Sequence, residues 1–196
     1  MPTLGLFGGS FDPLHLGHLL VAQAALEELS LDRLVFLPAA QSPFKPGTTP
    51  APASARLRML RQSLAGQTRM AVDDMEIRRG GVSFTAESCR EFSRRHPGSR
   101  LFWLIGADHV PTLPLWRDAE QLAQIVEFIV IPRPGEPSAA LPLPYRLHPL
   151  CGWPLKVSSS KIRDRIKSGL PIQHLVPSVV AEQIEREDLY RSISPR

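Results

Sequence analysis

A chain of 196 residues with 43% hydrophobic and 21% charged residues has the make-up of one globular domain with a sizeable core. Its net charge of +4 and isoelectric point near 9.5 fit either a mildly basic surface or a phosphate-rich partner, and do not separate the two. Its two cysteines, Cys89 and Cys151, lie far apart in no metal-type spacing and point to structural thiols in a reducing compartment.

Leu4–Phe7 reads as a short buried strand. Gly8-Gly9-Ser10-Phe11-Asp12-Pro13 then reads as a tight turn, and His15 and His18 open a helix whose apolar face runs from Leu19 to Leu29. Met1–Ala25 is apolar enough to suggest a signal peptide, but it has no basic start and is interrupted by Asp12, His15 and His18, and none is expected. No run approaches the roughly 18 apolar residues of a membrane span, and a cytoplasmic protein is expected. Leu34–Leu37 is a second strand, completing a right-handed βαβ unit. A proline-rich loop over Pro38–Pro52 holds Lys45. Ala53–Leu64 is a predicted helix with Leu57, Leu60 and Leu64 inward and Arg56, Arg58 and Arg61 toward solvent.

Met70–Val72 reads as a strand running into the acidic Asp73–Glu76, and Arg78–Gly81 as a turn. Thr85 is a candidate N-cap for a helix over Ala86–Arg95. Leu101–Ile105 is a strand ending at Gly106, followed by a loop through Ala107-Asp108-His109. Ala119–Ile125 is a short helix, Phe128–Ile131 a buried strand, and Arg133 opens a second proline-rich loop. Arg146–His148 reads as a short strand. Val157–Ser160 caps a basic helix over Lys161–Lys167, and Val179–Glu187 is the last helix. The alternation of strands and helices predicts an α/β fold, a Rossmann-like doubly wound parallel sheet, in a single domain over 1–196 with its core at about 3–190.

The chain contains no G-x-x-x-x-G-K-[ST], G-x-G-x-x-G, G-x-S-x-G or H-E-x-x-H. It does contain features that handle anions. Gly8, Gly9 and Gly17 allow close backbone approach. His15 and His18 lie one turn apart at a helix N-terminus, where N–H groups and partial positive charge favour phosphate. Ser158-Ser159-Ser160 precede Lys161 and Arg163 in the first turn of another helix, where cations oppose the helix dipole and an anion would relieve the conflict.

These two stretches resemble the paired signatures of the nucleotidyltransferase superfamily. Ser83-Phe84-Thr85-Ala86, Ile105-Gly106-x-Asp108, Trp116 and Arg133-Pro134-Gly135 further resemble, in order and spacing, the bacterial nicotinate-nucleotide adenylyltransferases. The similarity spans Leu4 to about Tyr190. It implies adenylyl transfer from ATP to nicotinate mononucleotide, giving deamido-NAD and pyrophosphate, as a step of NAD biosynthesis. His15, His18 and Arg163 are then catalytic. Gly8, Gly9, Ser10, Phe11, Gly17, Gly106, Asp108, Ser159, Ser160 and Ile162 bind ATP. Lys45, Phe84, Thr85, Trp116 and Arg133 bind the pyridine nucleotide. Mg²⁺ enters with ATP and needs no protein cage. Phe44 stands where the family often has histidine, a departure within this loop.

Phosphopantetheine adenylyltransferase and the glycerol-phosphate and choline-phosphate cytidylyltransferases share the end motifs. The first tends to be shorter and lacks the Ser-Phe-Thr and Trp features. A basic nucleic-acid-binding module is the reading from another class. The scattered arginines and the lack of an aromatic-interleaved basic face speak against it, so neither nucleic acid nor membrane is an expected partner. A homo-oligomer is compatible with the sequence.

Overall fold

The computed structural model describes residues 1–44, 49–132, 141, 143–153 and 155–191. Six strands form one all-parallel sheet: β1 (Thr3–Gly9), β2 (Arg33–Pro38), β3 (Met70–Val72), β4 (Arg100–Gly106), β5 (Val126–Ile131) and β6 (Leu147–Pro149). Their order is β3-β2-β1-β4-β5-β6. The chain therefore winds outward in one direction from β1 and in the other from β4. The switch between β1 and β4 leaves a crevice at their carboxyl ends.

Among the described residues seven α-helices cover the sheet: α1 (Leu16–Glu28), α2 (Ala53–Ser63), α3 (Met75–Arg79), α4 (Thr85–Arg95), α5 (Ala119–Ile125), α6 (Ser159–Lys167) and α7 (Ser178–Arg186). Strand residues alternate between the two faces, as the pleat requires. Phe7, Phe36, Phe102 and Leu104 pack with Leu26 of α1, Met59 of α2, Ile162 of α6 and Ile184 of α7. Leu6, Leu37, Trp103 and Ile105 pack on the other face with Met75 of α3, Phe92 of α4 and Leu122 of α5.

The expected elements are present, with revised limits. Gly8 and Gly9 belong to β1, paired with Leu37 and Pro38, so the glycines end the strand and the turn begins after them. Gly8 is required here because an added Cβ would lie 2.4 Å from ring atoms of Trp103. The histidine helix starts at Leu16 and buries itself chiefly through Ala22, Ala24, Ala25 and Leu26, while Leu19 and Leu20 are only half-buried. Thr85 is the first residue of α4, and Phe84 is its N-cap. The acidic run leads into α3, which takes up Arg78 and Arg79. The segment after Gly106 is a 3-10 helix over Ala107–Leu115 rather than a loop.

Arg56 is the clearest departure. Helical spacing assigned it to solvent, yet it is 1% exposed, and Leu57 is only half-buried. Its Nη1 donates to the carbonyls of Ser10 and Ala39, at 2.9 and 2.8 Å, and its Nε to Ala51 O at 3.1 Å. It thus ties together the segments that leave β1 and β2. Burial lowers its pKa, opposed by Asp12. Arg56→Met would leave these carbonyls without their donor. Urea denaturation is expected to show a loss of about 2–4 kcal/mol.

At the opposite end of the sheet Glu127, on β5, receives Arg100 Nε and Nη2 of β4 at 2.7 and 2.8 Å, and lies 2.6 Å from His148 Nε2 of β6. Arg100 above all, with His148, lowers the carboxyl from its ordinary 4.5 to about 2. A carboxyl depressed in the folded state contributes fully above its unfolded pKa and loses that contribution as pH falls through the folded value. The window here runs from 4.5 down to about 2. Glu127→Gln is therefore expected to lower the urea midpoint at neutral pH, and the gap from the parent should close as the pH is taken down through that window.

Candidate active site

A cleft of about 730 Å³ opens at the carboxyl ends of β1 and β4, where the switch in strand order places it. Gly8 and Gly9 form one wall as β1 ends. Phe11, the second residue beyond the strand, has φ 47°, a left-handed conformation that costs a non-glycine residue on the order of 1–2 kcal/mol. Its ring is held edge-on by Phe7 and Phe36, both 5.4 Å away, and by His18 at 5.1 Å. That packing turns the chain sharply and aims the following residues at the start of α1.

His15 is the N-cap of α1, and His18 sits in its first turn. The two imidazoles stack, with centroids 3.6 Å apart. The backbone N–H of His15 donates to His18 Nδ1 at 3.2 Å. A nitrogen that accepts carries no proton, so the neutral His18 ring holds its proton on Nε2. Local backbone geometry thereby makes His18 a hydrogen-bond donor, and both histidines line the cleft. At Gly17 an added Cβ would meet Val157 Cγ1 at 2.9 Å and the His15 ring at 3.1 Å.

The N-terminus of α6 closes over this loop. Ser158 is the N-cap and accepts from Lys161 N–H at 3.3 Å. Ser159 Oγ donates to Pro13 O at 2.9 Å, and Arg163 Nη1 donates to Asp12 O at 2.7 Å. The two anion-handling stretches, far apart in sequence, are therefore joined directly. Asp12 is fixed in turn: its Oδ1 accepts from Tyr190 Oη at 2.7 Å and from Ala51 N–H at 3.0 Å. Burial first, then Asp12, raise the Tyr190 pKa, so the phenol keeps the proton it donates. His15, His18, Lys156, Lys161 and Arg163 all line the cleft. That set of donors and cations at two helix starts has the chemistry that suits a polyanion.

The other end of the cleft is walled by Ser42, Phe44, Ser83, Thr85, His109 and Trp116. Phe44 lies 4.8 Å from His109 and 5.3 Å from Trp116, between ring centroids, so the departure from the family pattern places an aromatic ring against two others. The Trp116 Nε1–H is buried and meets no acceptor among the described residues.

Ser10, Gly106, Asp108 and Ser160 also line the cleft. Ile162 does not; it is fully buried in the core beneath α6. Phe84 faces away from the lining and carries the Arg117 guanidinium 4.6 Å above its ring. Lys45 and Arg133 lie outside the described residues. Sequence reasoning missed Arg56, Glu76, Tyr190, Trp103 and Trp153. Of these Glu76, Trp103 and Trp153 line the cleft, while Arg56 and Tyr190 hold its loop. Among the described residues no three His, Cys, Asp or Glu side chains are placed to hold a metal, and no helix is long and apolar enough to cross a membrane.

Residues 6–165 match the cytidylyltransferase-like family model. The chain is 44% identical over 190 residues to a "probable nicotinate-nucleotide adenylyltransferase" of Opitutus terrae, covering 96% of this chain and 97% of that one. It is 41% identical to the protein of that name from Thermus thermophilus, covering 96% and 99%. In three dimensions it resembles the Plasmodium falciparum nicotinic acid mononucleotide adenylyltransferase complexed with NaAD. The TM-score is 0.76 at 17% identity, over 97% of this chain and 98% of that one, a likeness of fold.

Proposed function

The chain belongs to the cytidylyltransferase-like family, among the nicotinate-nucleotide adenylyltransferases, and on that footing we propose that it transfers the adenylyl group of ATP to nicotinate mononucleotide in NAD biosynthesis. The observation that carries this reading is the clasp between the two signatures: Ser159 on Pro13 O and Arg163 on Asp12 O, with both stretches facing one cleft. Only that closure puts the start of α1 and the start of α6 on the same polyphosphate.

The chemistry asks little of the protein in proton transfer. The 5′-phosphate of the mononucleotide, already anionic, attacks the α-phosphorus of ATP. A new P–O bond forms, the bond from the α-phosphorus to the α,β-bridging oxygen breaks, and pyrophosphate leaves with that electron pair. Catalysis then rests on alignment and on stabilising charge. His18, with its proton on Nε2, donates to a phosphate oxygen. His15 lies beside it. Arg163 uses Nη1 on Asp12 O and keeps further N–H groups for the leaving pyrophosphate. Lys161, Ser160 and the α6 N-terminus hold the β- and γ-phosphates. Gly8, Gly9, Ser10 and Gly17 let the chain approach the nucleotide, and Gly106 and Asp108 take the adenosine side. The cations and imidazoles of the cradle fit an anion that brings its own metal. A divalent ion, Mg²⁺, bound to the phosphates would withdraw charge from them.

The pyridine ring packs against the wall formed by Phe44 and Trp116, where the buried Trp116 Nε1–H meets no acceptor among the described residues. The first N–H groups of α4, at Thr85 and Ala86, have no carbonyl one turn earlier in their helix and suit the nicotinate carboxylate. Lys45 and Arg133 are proposed to steady the mononucleotide phosphate. A neutral amide gains less at a helix N-terminus, which favours the acid as substrate.

Pyrophosphate release from ATP should be observed with nicotinate mononucleotide and be far slower with phosphopantetheine; no turnover with either pyridine mononucleotide would refute the assignment. His18→Ala should lower kcat by at least about a hundredfold while the urea midpoint stays near the parent's. Trp116→Ala should raise the KM for the pyridine nucleotide and leave that for ATP nearly unchanged. An unaltered KM for the pyridine nucleotide would make Trp116 a packing residue only.

A further inference from the structure

Two carboxylates line the cleft among the described residues, Glu76 and Asp108, and only Glu76 is buried, at 3% exposure. Glu76 lies on α3 against the first turns of α4. Its Oε1 accepts the hydroxyl of Ser88, one turn beyond Thr85, and the Ser83 hydroxyl bonds to the same carboxyl. The Ser83 oxygen also accepts the N–H of Ala40 at 3.0 Å, so Glu76 is tied to the chain leaving β2 as well.

The charged and titratable groups facing Glu76 are Arg79 on its own helix and Glu87 and Cys89 on α4. Arg79 Nε lies 3.6 Å from one oxygen of Glu87, and Arg117 Nη1 lies 3.0 Å from the other. The nearby cations are thus engaged by Glu87, and no cation among the described residues pairs with Glu76. The site therefore holds a buried, cation-free carboxyl beside the helix N-terminus to which an anionic ring substituent is assigned.

We propose that Glu76 sets the choice between acid and amide at the pyridine end. Protonated, it leaves the start of α4 to the nicotinate carboxylate. Ionised, it repels that carboxylate and accepts a hydrogen bond from a carboxamide instead. This rests on the placement of the pyridine substituent given under Proposed function.

Two carboxylates sharing a dry site do not both ionise without cost. Burial already pushes the Glu76 carboxyl above its ordinary range, against the hydrogen bonds of Ser88 and Ser83 and the charge of Arg79. A second negative charge pushes it further in the same direction. Binding of the acid therefore takes up a proton at Glu76, and binding of the amide does not. The preference for the acid weakens as pH rises through the Glu76 pKa.

The test is kcat/KM for nicotinate and nicotinamide mononucleotides from about pH 5.5 to about pH 8.5, taken as a ratio. Both substrates carry the same phosphate and meet the same histidines, so those titrations cancel. The ratio of acid to amide should fall by up to about tenfold per pH unit above the Glu76 pKa, and in Glu76→Gln it should be flat. A flat ratio in the parent protein, or the same slope in Glu76→Gln, overturns the proposal while turnover of the acid leaves the functional reading standing. No turnover of either overturns both. Should Glu76→Gln not fold, calorimetric titration of the parent in two buffers of different ionisation enthalpy decides. Greater proton uptake with the acid than with the amide supports Glu76 as the acceptor, and equal uptake overturns it.

Discussion

The site depends on two hydrogen bonds to backbone carbonyls: Arg163 to Asp12 and Ser159 to Pro13. A parallel sheet supplies a crevice wherever its winding reverses, but a crevice has only one fixed wall. Here the second wall is α6, which follows the last strand and could pack on the sheet at many angles. Ile162, buried beneath it, fixes its depth. The two bonds fix its rotation and bring its first turn over the loop after β1. Arg56 sets that loop from the inside, and Asp12 receives Tyr190 and Ala51 from two further segments. Backbone carbonyls are good anchors for such a purpose because no substitution removes them.

The cleft divides into two electrical environments. At one end His15, His18, Lys156, Lys161 and Arg163 gather around two helix starts, with the Asp12 carboxylate beside them, 3.7 Å from Arg163. At the other end the aromatic rings of Phe44 and Trp116, the buried Glu76 carboxyl and the start of α4 share one wall. The proposed function assigns a triphosphate to the first environment and a flat ring to the second. His18 belongs to the first end, yet its tautomer is decided by a main-chain N–H within its own turn rather than by the substrate. In the proposed reaction the donor is thus in place before the nucleotide arrives, which is what catalysis by preorganised dipoles requires.

The fold was largely legible in the sequence because apolar runs of strand length alternate with runs of helical period. The limits moved where glycine meets strand: Gly8 and Gly9 read as a turn, but the missing Cβ of Gly8 makes room for the Trp103 ring of the neighbouring strand, a contact no local pattern records, and that of Gly9 for the Phe11 ring. Most residues assigned to the site do line the cleft, since motif spacing encodes which loops meet. Ile162 and Phe84 lie in the matched stretches but point elsewhere, one into the core and the other under Arg117. Arg56 was placed in solvent because helical spacing knows only polarity, and the carbonyls that hold it come from Ser10, Ala39 and Ala51. Glu76 looked like one more charge in an acidic run. Its importance arises from α4 folding back over it, which is a tertiary event.

The bond from Tyr190 to Asp12 spans nearly the whole chain, and its timing during synthesis matters. A ribosome that has delivered residues 1–150 has made all six strands, yet neither α6 nor Tyr190 exists. The cleft then has no second wall, and the face of the sheet covered by Ile162, Val180 and Ile184 is still open. The walls of the cleft are thereby completed only when translation reaches the end of the domain.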